Sequence, residues 1–217
     1  MMKTTLAALF LCATFSTLNA AAASISYYLD QSNALPNGAN YLQVTISDGM
    51  AGDINFEVDV LAAAFNVTDP VASNFGMQSF AFNFDNSLNV TASNITHIDP
   101  SSWSISENQN AGGGFGKFEF QLSGTGATRT EVLSFSISGV TGDSIYSYAL
   151  GSSLNPSSGD FFAAHVAGFD LTNGVTSAQF AGSTPVPVPA TLWLLGSGLL
   201  GLAGIAMRRR HITSAAL

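Results

Sequence analysis

Cysteine is almost missing from this 217-residue protein: the single one, Cys12, stands in an apolar stretch near the N-terminus. One thiol cannot close an intramolecular disulfide or build a thiolate-rich metal site. Leu11, directly before it, is not the small residue that precedes an acylated lipoprotein cysteine. Basic residues are nearly as scarce, six against 14 acidic ones. Lys3, Arg208, Arg209 and Arg210 lie near the ends, so only Lys117 and Arg129 accompany the acids, all of which fall between residues 30 and 170. Phosphate backbones are held by clustered Lys and Arg, so nucleic acid is not an expected partner. An acidic exterior of this kind suits solubility, neutral glycans or calcium-bridged ones. Long amphipathic helical patterns and fixed-period repeats are also missing, which argues against bundles, solenoids and propellers.

Charge is missing too from a stretch near the C-terminus, residues 190–207. Eighteen helical residues rise about 27 Å, close to the hydrocarbon thickness of a bilayer. Arg208, Arg209 and Arg210 follow at once and would hold that end in the cytoplasm, with everything upstream on the other side. The N-terminal end reads as a secretory signal: Lys3, an apolar core over residues 6–18, then Asn19 and four alanines suited to cleavage after Ala22 or Ala23. The expected organisation is a signal peptide at 1–23, an exported domain at 24–181, a proline-rich linker at 182–189, a membrane helix at 190–207 and a basic tail at 208–217. The Sec machinery is the expected export partner.

Between these ends the pattern is β. Phe56, Val58 and Val60 alternate with Glu57 and Asp59; Phe118, Phe120 and Leu122 alternate with Glu119 and Gln121; Leu133, Phe135 and Ile137 alternate with Ser134 and Ser136. Period-2 alternation predicts strands with one buried and one wet face. Phe80, Phe82 and Phe84 extend the series, and further strands are expected at 25–29, 41–46, 88–95, 145–148, 161–169 and 175–180. Residues 61–65 read as a strand end or a helical turn. Turn signals such as Pro36-Asn37-Gly38, Gly112-Gly113-Gly114 and Gly142-Asp143 separate them. About ten short strands predict one all-β domain, an antiparallel, jelly-roll-like β-sandwich.

Candidate chemistry is thin. No Gly-x-Ser-x-Gly elbow and no His-Glu-x-x-His occurs, so neither a serine hydrolase nor a zinc protease is expected. His165 falls in an apolar run and reads as a packed, hydrogen-bonded histidine rather than a catalytic one, His97 as a loop residue. Glu57 and Asp59 read as solvated surface rather than a glycosidase pair. No enzyme and no cofactor is therefore expected. Calcium wants oxygen ligands from loops, and Asp48 with Asp53 around Gly49 is the best candidate. For glycans the candidates are Trp103, set among serines at 101, 102 and 104, and Tyr146 with Tyr148, which would share a face on a strand; the competing reading is that Trp103 plugs one end of the sandwich core and the tyrosines cap its edges.

Val186-Pro187-Val188-Pro189, the apolar run and the triple arginine together resemble a PEP-CTERM sorting signal. Valine at 188 replaces the glutamate of the family's Pro-Glu-Pro. The resemblance implies recognition by exosortase, a membrane-embedded cysteine protease of Gram-negative bacteria that make exopolysaccharide and form biofilms. It implies an inner-membrane intermediate with its C-terminus in the cytoplasm, then a cell-surface or extracellular protein. The expected role is structural or adhesive beside extracellular polysaccharide, the alternative a carbohydrate-binding module.

Overall fold

The alternating segments pair into two six-stranded sheets, both antiparallel throughout. The computed structural model describes residues 23–65, 74–151, 154, 159–170 and 174–186. Its strands are β1 (Ser24–Leu29), β2 (Gln31–Ser32), β3 (Leu42–Asp48), β4 (Ile54–Val60), β5 (Gly76–Phe82) and β6 (Ile95–Asp99). The later ones are β7 (Ser104–Asn110), β8 (Lys117–Ser123), β9 (Val132–Ile137), β10 (Phe162–Ala167), β11 (Ser177–Gly182) and β12 (Thr184–Pro185). The first sheet runs β12-β1-β3-β4-β9-β6, the second β2-β11-β10-β5-β8-β7. Only β3–β4, β7–β8 and β10–β11 are sequential neighbours in a sheet; the other connections change sheets.

With no disulfide to help, the fold is held by rings. Phe56 of β4 stacks on Phe135 of β9 at 4.5 Å and meets Phe82 of the opposite sheet at 5.3 Å. Phe80 stacks on Phe162 at 5.9 Å within the second sheet. Beyond β4 the backbone takes a 3-10 turn, Ala62–Phe65, which carries Phe65 inward against Tyr41, Phe75, Phe169 and Phe180. Removing any one such buried ring would cost about 3–5 kcal/mol.

The second sheet has its outer face partly covered. Ala81, Ala163 and Ala181 lie between inward residues, so they point outward, and they are buried with Ala111 and Phe118, with a half-buried Phe115 packed against them. The β7–β8 connection therefore folds back over this face. Gly113 has φ +63°, and a Cβ there would stand 2.7 Å from Gln179 Cβ. Glycine is what lets the backbone approach so closely. The outer face of the first sheet is left as the open polar one.

Two expectations need correction, and β7 lies outside the expected strands. Residues 88–95 form no continuous strand: a 3-10 turn, Ala92–Asn94, precedes β6. The Asn94 carboxamide accepts the Thr91 N–H at 2.9 Å and donates to Ser138 O at 2.9 Å, giving the backbone a local alternative to a ladder. Residues 145–148 are likewise a 3-10 turn, with Ser144 N–H donating to Ser147 Oγ at 3.1 Å. And β7, whose only apolar residue is Ile105, has no hydrophobic period to read; it is the polar edge of its sheet.

Candidate functional site

A groove of about 410 Å³ opens on the outer face of the first sheet. Strand alternation puts Thr45 and Ser47 of β3, Asn55 and Glu57 of β4, and Ser134 and Ser136 of β9 on that face. Register aligns them in two rows: Ser47, Asn55, Ser136 and Thr96, then Thr45, Glu57 and Ser134. The Ser136 hydroxyl donates to Asn55 Oδ1 at 2.8 Å, and the hydroxyls of Ser26 and Thr45 lie 3.0 Å apart.

His97 completes the groove through a bulge. Pairing passes from Thr96–Ser136 to Asp99–Ser134, so β6 spends one residue more than its partner. His97 sits in that extra step with φ +52°, its Nδ1 3.1 Å from Thr96 Oγ1. The site thus offers hydroxyls, one carboxamide, one carboxylate and one imidazole: a hydrogen-bonding surface for a polar ligand. On the same face, two residues along β4 from Glu57, Asp59 is pushed above the ordinary carboxylate range, first by burial and then by the neighbouring Glu57 charge.

The aromatic candidates do not form a sugar platform. Trp103 is 5 % exposed, and its indole N–H donates to Thr128 O at 2.8 Å, so no ring face is offered to a pyranose. A Cβ at Gly124 would lie 2.5 Å from its Nε1, which shows how closely it is wrapped. Tyr148 is 0 % exposed and donates to Asp143 Oδ2 at 2.7 Å; burial, then that carboxylate, drives its phenol far above the usual range. Tyr146 is 68 % exposed. A strand would have put the two tyrosines on one face, whereas three residues per 3-10 turn send i and i+2 apart.

Asp48 and Asp53 serve the β3–β4 turn. Asp48 Oδ2 accepts the Ala23 N–H at 3.2 Å, Gly49 N–H donates to Asp53 O at 2.7 Å, and Asp53 N–H to Met50 O at 3.1 Å. Among the described residues no three His, Cys, Asp or Glu side chains gather as a metal site. His165 is half-buried on β10, its imidazole held below its ordinary range first by burial and then by Arg129. That guanidinium donates to Gln78 Oε1 at 3.2 Å and Asn74 O at 3.3 Å.

Of the sorting candidates, Val186 is described: its N–H donates to Ser26 O at 2.9 Å. Pro187, Val188, Pro189, Arg208, Arg209, Arg210 and the run 190–207 lie outside the described residues, as does the signal segment up to residue 22. Among the described residues no helix is long and apolar enough to cross a membrane.

A family model, the PEP-CTERM protein-sorting motif, matches residues 185–210. The match begins at Pro185, inside β12, and includes the proline-rich motif, the apolar run and all three arginines. No curated protein and no solved structure matches the sequence.

Proposed function

We propose, on the premise that residues 185–210 are a PEP-CTERM protein-sorting motif, that the protein is an exported exosortase substrate with a structural or adhesive role outside the cell. The motif is the observation that supports this reading. The apolar run 190–207 would hold the intermediate in the inner membrane, with Arg208, Arg209 and Arg210 on the cytoplasmic side. A Sec-type signal would be removed near residue 23. The released part would be a single β-sandwich of jelly-roll-like winding, whose acidic surface keeps it soluble in an extracellular matrix.

The role is non-enzymatic and needs no metal. Glycoside hydrolysis uses two carboxyl groups about 5–9.5 Å apart, whereas the groove lining includes one, Glu57. The test is a deletion strain scored for cell cohesion and for the amount and length of its polysaccharide. Loss of cohesion with the polysaccharide unchanged supports the reading; polysaccharide cleavage by the purified domain overturns it.

A second reading, carbohydrate binding, is favoured by the groove itself. Hydroxyls, a carboxamide and a carboxylate at strand spacing suit a neutral glycan, and Tyr146 is the one tyrosine candidate left exposed. In titrations with the host polysaccharide, Asn55→Ala and Glu57→Gln should weaken binding at least tenfold while the domain stays folded, with Asn55→Ala lowering the melting temperature by only a few degrees through the lost Ser136 bond. Binding that survives both substitutions places the ligand elsewhere.

A further inference from the structure

The stretch expected to be a free linker begins inside the fold. Gly182 ends β11 in one sheet, and two residues later Thr184 starts β12 at the edge of the other. Thr184 pairs with Tyr28 and Pro185 with Tyr27, both on β1. The Thr184 hydroxyl donates to Asp30 Oδ2 at 2.8 Å, and Val186 N–H donates to Ser26 O at 2.9 Å. Pro185, which has no N–H to offer, is tolerated because this is an edge strand. The crossing is tight: a Cβ on Gly182 would sit 2.5 Å from Tyr28 O and 2.8 Å from Leu29 Cα.

Direction matters as much as pairing. β12 runs antiparallel to β1, so the backbone past Val186 leaves toward Ser24, the end at which the N-terminal segment enters. Both sorting segments therefore join the domain at one end of one pair of strands. From Val186 to the start of the apolar run there remain residues 187–189, which span at most about 11 Å fully extended.

From this we infer that β12 is the domain's grip on its own sorting tail. Strand pairing holds residues 184–186 in the fold, so a membrane protease cannot cut within them. The processed protein keeps residues 184–186 as the edge strand of the first sheet, and its new C-terminus emerges beside its N-terminus. The inference rests on the sorting reading for the identity of the protease, and on the β12 contacts alone for the position of the boundary.

The experiment separates the two. Full-length protein, purified in detergent from membranes of the native host, is trimmed with proteinase K and its end point read by intact mass. The unmodified protein should stop at or beyond Val186. Thr184→Val combined with Asp30→Asn, which removes the side-chain tie, should lose the additional residues 183–186. Gly182→Ala, which forces the crossing apart, should do the same, and thermal melts of both variants confirm that the core stays folded. Unmodified protein trimmed back to Gly182, or variants with an unchanged end point, overturn the grip. The species released in the native host is weighed in parallel. A C-terminus upstream of Val186 contradicts the boundary, whereas a protein that is never released contradicts the sorting reading while the trimming result still judges the grip.

Discussion

Replacing Trp103 by alanine removes the indole from a nearly closed pocket between Gly124 and Thr128. Truncating a buried tryptophan costs about 3–5 kcal/mol, and a domain of this size loses about 2–4 °C of melting temperature per kcal/mol. The expected fall is therefore roughly 6–20 °C. Trp103→Phe keeps much of the ring contact but strands Thr128 O, which is only half-buried and can turn to water, so its cost is about 0.5–1.5 kcal/mol. The assay is thermal unfolding of a fragment spanning residues 23–186, in which Trp103 is the sole tryptophan, since the other of the two is Trp193. Its native fluorescence should be blue-shifted and resist acrylamide. Emission typical of water, free quenching and an unchanged melting temperature in Trp103→Ala would refute the burial argument and restore Trp103 as a ligand-facing ring.

Tyr148→Phe should cost about 1.5–3 kcal/mol, because the lost bond is to a carboxylate. In an alkaline titration the Tyr148 phenol of the native protein should stay protonated beyond the pH at which an ordinary tyrosine ionises, and spectrophotometric titration checks this. Asp160 is buried; burial, only partly offset by the Gln31 hydrogen bond, raises its carboxyl above the ordinary range, with Asp30 adding to the rise. A raised carboxyl binds its proton more tightly in the folded state. Its stabilising contribution is thus complete below the unfolded value near 3.9 and is lost as pH rises through the folded one. Asp160→Asn should gain stability relative to the parent as pH climbs from about 4 to 7, measured by denaturant titration at each pH. A constant difference across that range would contradict it. His165 has the opposite sign: its depressed imidazole contributes stability above about 6.5 that is lost as pH falls through the folded value.

Much of the fold was legible because its main strands carry a burial alternation. Phe56, Val58 and Val60 against Glu57 and Asp59 announce β4, and Leu133, Phe135 and Ile137 announce β9, with the apolar residues of both turned inward. What escaped was decided by polar side chains or by long-range pairing. Asn94 and Ser147 turn their own backbones into 3-10 geometry, which no hydrophobic period reports. β7 has no apolar stripe because it closes an edge.

The candidate site was half legible. The polar positions Glu57, Ser134 and Ser136 were visible, but their adjacency depends on β4 pairing with β9, a contact between strands about 75 residues apart in sequence. The bulge that brings His97 to them leaves no composition signal. Trp103 and Tyr148 had both a core and a ligand-facing reading open, because serine and asparagine neighbours in sequence say nothing about which way an aromatic ring turns; burial decides for the core. The linker's small residues and prolines likewise suit a close crossing and an edge strand.

The central claim is that this domain is exported and cut from its C-terminal tail. It is tested most directly by intact-mass spectrometry of the protein recovered from the medium and membranes of its native host. The account predicts a released species that begins near residue 23 and lacks Arg208, Arg209 and Arg210. A single membrane-bound species that retains all three arginines, with none released, would contradict it.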